Sequence, residues 1–286
     1  MRIVSWNIEN LARWLANEDR DFVAEWRRLG EPDALCLQEV RIRASDADAI
    51  AAMERALPGF RCFHSLNRDL RNGGFRGGRA YGVATYLRRS IRAEQVAIPW
   101  DLEGRICALS LRARGIALVN VYAVNGTARR HWNHDVGDFS GDRHPFKQDF
   151  IARLGRELSR RAFAGKALVL VGDWNVSRAK IDTTPRLRTE EPHATARRRF
   201  NEEFMPSLDL VDVFREQHPD EREYTWFNAR ARTRLDAARV DFVLASRALL
   251  PRMRTGIDAA PEARPGSDHA PLWVELGNPA KRVRNP

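Results

Sequence analysis

Apolar residues recur along this chain in short blocks, and nearly every block stops at a polar residue or a glycine. The blocks predict strands over residues 2–6, 34–37, 60–64, 80–87, 105–111, 116–124, 167–171, 224–227, 239–245 and 272–276. Helical spacing appears between them. Phe22, Trp26 and Leu29 mark a helix over 21–29 stopped by Gly30, and residues 45–57 form a second, closed by Pro58-Gly59. Phe146, Phe150, Leu154 and Leu158, with Ile151 beside them, predict a third helix whose apolar face packs on a sheet.

Three stretches break every periodicity. Residues 125–145 read as an extended surface loop, 178–199 as an irregular basic segment, and 277–286 as a frayed basic tail. The glycine-rich "RNGGFRGGR" reads as a further loop. There is no low-complexity linker and no internal repeat, so one domain is expected over 1–276. Helices mixed with many hairpin-like strands do not follow a strict β-α-β alternation. The order fits an α/β fold of two packed sheets with helices outside.

Composition narrows the partners. Lys and Arg number 48 against 38 Asp and Glu, a formal charge of +10, which favours a polyanion over a small neutral metabolite. Much of the excess is arginine, the residue suited to bidentate phosphate contacts. Cys36, Cys62 and Cys107 sit in apolar runs without Cys-x-x-Cys spacing and read as buried thiols in a reducing compartment. No apolar stretch approaches the ~18 residues that span a bilayer, and "MRIVSWNIEN" has no signal-peptide core. The expectation is a cytoplasmic monomer, associated with the nucleoid through DNA and not with a membrane.

The chemistry gathers where strands end. Asn7 and Glu9 follow "RIVSW", Glu39 follows "ALCLQ", Tyr122 and Asn125 close "IALVNV", and Asp173 and Asn175 close "ALVLVG". Asp241 sits inside "RVDFVLA", and Asp268-His269 precede "APLWVEL". One such residue is an ordinary cap or turn. Six sites together call for convergence. Carboxylates and amides with a single imidazole suit Mg²⁺ or Mn²⁺ and argue against zinc. "GFRGGRAYG" lacks the Gly-Lys-Ser/Thr ending of a phosphate loop, and no Gly-x-Ser-x-Gly elbow occurs. Metal-assisted phosphoester hydrolysis remains.

"SWNIENL", "LCLQEVR", "VNVYAVNG", "VGDWNVS", "YTWFNAR", "RVDFVLAS" and "GSDHAPLWVEL" occur in an order that resembles the endonuclease/exonuclease/phosphatase superfamily, most of all its exonuclease III-like apurinic/apyrimidinic endonuclease branch. The resemblance runs from residue 1 to about 276. It implies a four-layered α/β sandwich with two packed, mostly antiparallel sheets flanked by helices. It implies Glu39 as principal Mg²⁺ ligand (Mn²⁺ as substitute), with Glu9 and Asp268 nearby and Asn7 holding the geometry. Asp173 would orient or deprotonate the attacking water, with Asn175 fixing it. His269, oriented by Asp241, would donate to a phosphate oxygen that Tyr122 and Asn125 also contact. One metal or two, and Asp173 or Tyr122 as the deliverer of the nucleophile, both stay open.

For substrate, the resemblance implies a DNA-repair nuclease incising double-stranded DNA 5′ to abasic sites, with 3′-end trimming; a less specific nuclease or phosphatase is the alternative. Arg105 and Tyr81 would be backbone contacts, Trp226 the wall of a pocket for a flipped-out sugar, and Arg129 and Arg130 the neighbours of a DNA-inserting side chain. Ala238 stands where some abasic-site enzymes carry an aromatic, which implies a looser pocket. Asp241 has a structural alternative, a salt bridge with Arg239 or Arg234. His131, His134, His144, His193 and His218 are expected to be solvated, and Trp100 and Trp132 to be packing anchors.

Overall fold

The apolar blocks pair edge to edge into two six-stranded sheets in the computed structural model, which describes residues 1–17, 20–72, 80–139, 142–160, 162–228 and 235–277. The first sheet contains β1 (Arg2–Asn7), β2 (Ala34–Gln38), β3 (Phe60–Ser65), β4 (Val83–Arg88), β16 (Met253–Ile257) and β17 (Leu272–Leu276), in the order β16-β17-β1-β2-β4-β3. The second contains β5 (Glu94–Val96), β6 (Ile106–Leu111), β7 (Ile116–Tyr122), β10 (Ala167–Asp173), β12 (Leu210–Asp212) and β15 (Asp241–Ser246), in the order β12-β15-β10-β7-β6-β5. Two small sheets sit outside them: β8 (Trp132–Asn133) with β9 (Asp138–Phe139), and β11 (Thr183–Thr184), β14 (Ala237–Ala238) and β13 (Trp226–Phe227).

Alternating side chains build three apolar layers. Cys36, Val83, Cys107, Leu118, Val171 and Val274 fill the space between the sheets. Outside the first sheet, α1 (Leu11–Leu15), α2 (Phe22–Arg28) and α3 (Ala47–Arg55) bury Leu11, Trp14, Phe22 and Met53 against Trp6, Leu35 and Tyr86. Outside the second, α4 (Arg143–Leu158) buries Phe150, Ile151, Leu154 and Leu158. Aspartates start three of these helices: the Asp21, Asp46 and Asp142 side chains accept from backbone N–H groups of the first turn. The result is a helix, sheet, sheet, helix sandwich.

Strand direction places the site. Every neighbouring pair is antiparallel except β1 with β2 and β7 with β10, one parallel pair in each sheet. Carboxyl ends of parallel strands are where open α/β sheets hold ligands. Here the carboxyl ends of both pairs lie together, because Asn7 at the end of β1 donates to Asp173 at the end of β10. A polar seam pins the two sheets: Gln38 Nε2 donates to Asn120 Oδ1 (2.7 Å), and Asn120 Nδ2 donates to the carbonyls of Leu37 and Ala84.

Three expectations need correction. Strands at Glu94–Val96, Leu210–Asp212 and Met253–Ile257 carry too few apolar residues in a row to stand out, and pairing to a neighbour makes them. The stretch 125–145 is not all loop, since it holds β8, β9 and the first turn of α4. Within 178–199 lie β11 and α5 (His193–Arg198). Residues 278–286, parts of the glycine-rich loop (73–79) and Arg234 lie outside the described residues.

Candidate active site

Each strand end delivers one polar group to the same corner. Gly172 has φ 137°, and a Cβ there would collide with the carbonyl oxygen of Val121, so only glycine lets β10 run this close to β7. Immediately after it, Asp173 turns into the corner, 2% exposed, while Trp174 points the other way onto Phe200 and Phe204. Asn175 then takes a left-handed turn (φ 53°). Its backbone N–H donates to Asp173 Oδ1 (2.9 Å) and its Nδ2 to Asp173 Oδ2 (3.3 Å) and to the carbonyl of Ala123 (3.0 Å).

Asn7 joins the two sheets chemically. Its Nδ2 donates to Asp173 Oδ2 (3.1 Å) and Glu39 Oε1 (3.2 Å), and its Oδ1 accepts from the Glu9 N–H (3.0 Å). The Tyr122 hydroxyl donates to Glu39 Oε1 at 2.7 Å. His269 Nδ1 faces Asp241 Oδ2 at 2.9 Å, and its Nε2 lies 3.9 Å from Asp173 Oδ2. Trp6 Nε1 donates to the His269 carbonyl, and the Ser267 hydroxyl donates to the carbonyl of Asn7, so the Ser267–His269 turn is fastened to β1. Trp226 Nε1 donates to Asp268 Oδ2 at 3.0 Å.

A cleft of about 690 Å³ opens over this corner. Glu9, Glu39, Tyr122, Asn125, Asp173, Asn175, Trp226, Asp268 and His269 all line it, as does Ala238 beside Trp226. Glu9, Glu39, Arg41 and Asn175 line it too, and all four have φ between 53° and 64°. Left-handed backbone at non-glycine residues costs on the order of 1–3 kcal/mol each and persists where the surroundings over-determine it, typically at functional sites.

The electrostatics separate the groups by role. Burial raises the Asp173 carboxyl, the adjacent Asp241 charge raises it further, and His269 with the Asn175 N–H offsets part of this; the group is held well above the usual carboxylate range. Burial alone would lower His269, but Asp241 and Asp173 outweigh it and hold the imidazole protonated far above its ordinary value. Burial would also raise Glu39, yet Arg41 and the donors Tyr122 and Asn7 keep it below its usual value. Asp173 thus has proton affinity to spare, while Glu39 stays ionised.

Among the described residues, the group of titratable side chains whose ligand atoms lie within 4.8 Å of one another is Asp173, Asp241 and His269. In this trio the imidazole is charge-paired with Asp241 and Asp173. The carboxylates of Glu9, Glu39 and Asp268 line the same cleft, without meeting within that distance. All three face the cleft with hard oxygens, and the Arg41 guanidinium already bridges Glu39 (2.5 Å) and Glu9 (3.7 Å), showing that this pair gathers positive charge. Carboxylate oxygens of this kind suit a divalent cation.

Several expected contacts fall elsewhere. Arg105 is 1% exposed, its guanidinium held by Glu103 and by the carbonyls of Tyr122 and Ala123, so it has no surface to offer a DNA backbone. Tyr81 is half-buried under that guanidinium and does not line the cleft. Arg129 and Arg130 are exposed beyond the cleft, with Arg130 over the ring of Phe139. Asp241 has no bond to Arg239, which binds Asp182 and Asp212 instead. His131 is buried and stacked on Phe146, His134 faces Asp69, and His193 lines the cleft, so these three are not simply solvated. Trp100 packs on Phe150 and Trp132 on Phe139.

The sequence reading also missed cations. Arg41 was legible only as part of "LCLQEVR". Lys147 hides in the apolar period of α4, is 7% exposed, and donates from Nζ to the Asn175 carbonyl (2.6 Å). With Arg186, Arg188 and Arg197 from the 178–199 segment it gives the cleft a basic wall.

The model of the endonuclease/exonuclease/phosphatase family matches residues 4–269. The chain is 27% identical over 283 residues to Recombination repair protein 1 of Drosophila melanogaster, covering 96% of this chain but only 37% of that one. It is 25% identical over 294 residues to exodeoxyribonuclease III of Haemophilus influenzae, covering 96% and 100%. Its fold resembles an AP endonuclease from Leishmania major (TM-score 0.76, 22% identity, 97% and 88% covered). It also resembles the 3′ phosphatase NExo from Neisseria bound to a product DNA hairpin (TM-score 0.70, 25% identity, 97% and 100% covered).

Proposed function

From the premise that the chain belongs to the endonuclease/exonuclease/phosphatase family, we propose that it is a divalent-metal-dependent DNA-repair nuclease that hydrolyses the phosphodiester 5′ to an abasic site. The observation that carries this reading is the buried Asp173–Asp241–His269 cluster opening into a cleft with a carboxylate wall and a basic wall. A divalent cation on Glu39, Glu9 and Asp268 would supply charge stabilisation for the phosphate and the leaving oxygen.

The chain's own groups do the rest. Asp173, raised by burial and Asp241, accepts a proton from the attacking water, and Asn175 and Asn7 hold its carboxylate in place. His269 stays cationic through Asp241 and turns Nε2 toward the cleft, where it donates to a non-bridging phosphate oxygen. The Tyr122 hydroxyl and the Asn125 amide reach the same oxygens. Trp226 with the small Ala238 walls the space for an extruded sugar. Lys147, Arg186, Arg188 and Arg197 meet the flanking backbone, and the +10 charge makes binding fall with salt.

The names of the relatives support a DNA substrate, and one of them acts as a 3′ phosphatase. The test is a duplex with a single tetrahydrofuran abasic analogue, assayed in Mg²⁺ and in chelator beside an undamaged duplex and one ending in a 3′-phosphate. Metal-dependent incision 5′ to the analogue is expected. Equal cutting of undamaged duplex would reduce the proposal to a general nuclease, and faster loss of the 3′-phosphate would make end trimming the main activity.

A further inference from the structure

Arg105 touches Tyr122 in more ways than any packing role needs. The Tyr122 N–H donates to the Arg105 carbonyl (2.8 Å), and Arg105 Nη1 donates back to the Tyr122 carbonyl (3.1 Å) and to the Ala123 carbonyl (3.3 Å). That second carbonyl also accepts from Asn175 Nδ2, so one oxygen is shared between Arg105 and the residue that holds Asp173. The guanidinium carbon lies 3.8 Å from the Tyr81 centroid and 4.8 Å from that of Tyr122, and the two rings themselves meet at 6.2 Å. Glu103 fixes the guanidinium from the far side, with Arg105 Nε donating to Oε2 at 2.5 Å.

Glu103 is itself held twice. Arg143 Nη2, from the first turn of α4, donates to Oε1 (3.0 Å) and Oε2 (2.8 Å), and the Arg143 N–H donates to the Thr127 carbonyl. All three side chains are buried. A buried ion-pair chain is seldom the cheapest way to fill a core, because apolar residues of the same volume do as well or better. What it adds is direction. The chain runs from Thr127 and the first turn of α4 to the aromatic hydroxyl that meets Glu39.

We propose that Arg105, clamped by Glu103 and Arg143, is a positioning residue that sets the ring of Tyr122 so that its hydroxyl meets the phosphate. The inference rests on the functional reading of Tyr122 given above. The guanidinium packs against the Tyr122 ring, and the paired backbone bonds fix its root. Displacing a reacting geometry by about 1 Å can cost on the order of a hundredfold in rate.

The test is a double-mutant cycle on the abasic-duplex assay with the full chain, using Arg105→Lys, Tyr122→Phe and both together. Arg105→Lys keeps the charge but loses the planar fork and the stack. It should lower kcat about tenfold or more with KM within about twofold, whereas in the Tyr122→Phe background it should cost less than about twofold. A merely structural role would give the same loss in both backgrounds, and that additivity would overturn the proposal. Full turnover in Tyr122→Phe would instead sink the functional reading of Tyr122. Thermal unfolding checks that each variant is folded; if Arg105→Lys is not, Glu103→Gln goes through the same cycle with the same expected pattern.

Discussion

Two clusters of buried charge sit a few residues apart in this sequence and behave in opposite ways. Arg239 belongs to one, where Asp182 and Asp212 have all four carboxylate oxygens bonded by Arg239, Arg178, Arg215 and backbone N–H groups. Asp241 belongs to the other, where Oδ1 is buried with no partner among the described residues, and where Asp241, Asp173 and Asp268 gather around one imidazole while Glu39 and Glu9 share one guanidinium. Burial would raise Asp212, but Arg239 and Arg178 hold it below its usual range, whereas Asp173 is raised. The saturated cluster spends its charge on holding the fold. The unsaturated one keeps proton affinity and hydrogen-bonding capacity for a ligand, which is what chemistry on a phosphate needs.

Asp173→Asn should separate the two most sharply. Turnover should fall by about 10³-fold or more, since the proton acceptor is gone. Because the folded state disfavours the charged form, the unfolding free energy should stay level or rise by about 1 kcal/mol. Urea unfolding beside the cleavage assay checks both.

Arg239→Met should do the reverse. Two buried aspartates lose their shared cation, at a cost of about 3–5 kcal/mol in stability, while the folded fraction keeps kcat within about threefold. Loss of turnover without loss of stability would merge the clusters.

Lys147 gives a smaller, pH-dependent effect. Burial lowers its ammonium to about 8, so the cation facing the cleft is lost as pH rises through that value. KM for duplex should rise several-fold between about pH 7 and 9, and Lys147→Met should show the higher KM throughout. The linked effect on stability has the opposite sense: between about 8 and the ordinary lysine value of 10.5 the unfolded chain holds the extra proton, so stability from this group grows with pH there.

Much of this was legible in the chain. Short apolar runs located the central strands, and polar residues at their ends named Asn7, Glu39, Tyr122, Asp173 and His269, all of which the fold brings to one corner. The aspects that were not legible share one cause: a sequence shows that a side chain is charged but not which way it points. Arg105 read as a DNA-backbone contact because the family resemblance implied it, yet Glu103 and the carbonyls of Tyr122 and Ala123 make its burial tolerable. Arg239 and Asp241 read as a pair because they are neighbours, yet each finds partners far along the chain. Lys147 looked like one polar break in a helix, and the left-handed turns at Glu9, Glu39 and Arg41 have no sequence signature beyond their neighbours.

The contrast between the clusters is tested most directly by one chemical change made in each: Asp241→Asn and Asp212→Asn, assayed together for abasic-duplex turnover and for unfolding free energy. When Asp241 loses its charge, His269 can shed a proton, so the fold is spared to within about 1 kcal/mol while turnover falls on the order of a hundredfold. When Asp212 loses its charge, Arg239 and Arg178 cannot neutralise, so stability falls by about 3–5 kcal/mol while turnover of the folded protein is kept. The reverse pattern, with turnover lost at Asp212 and stability lost at Asp241, would contradict the account.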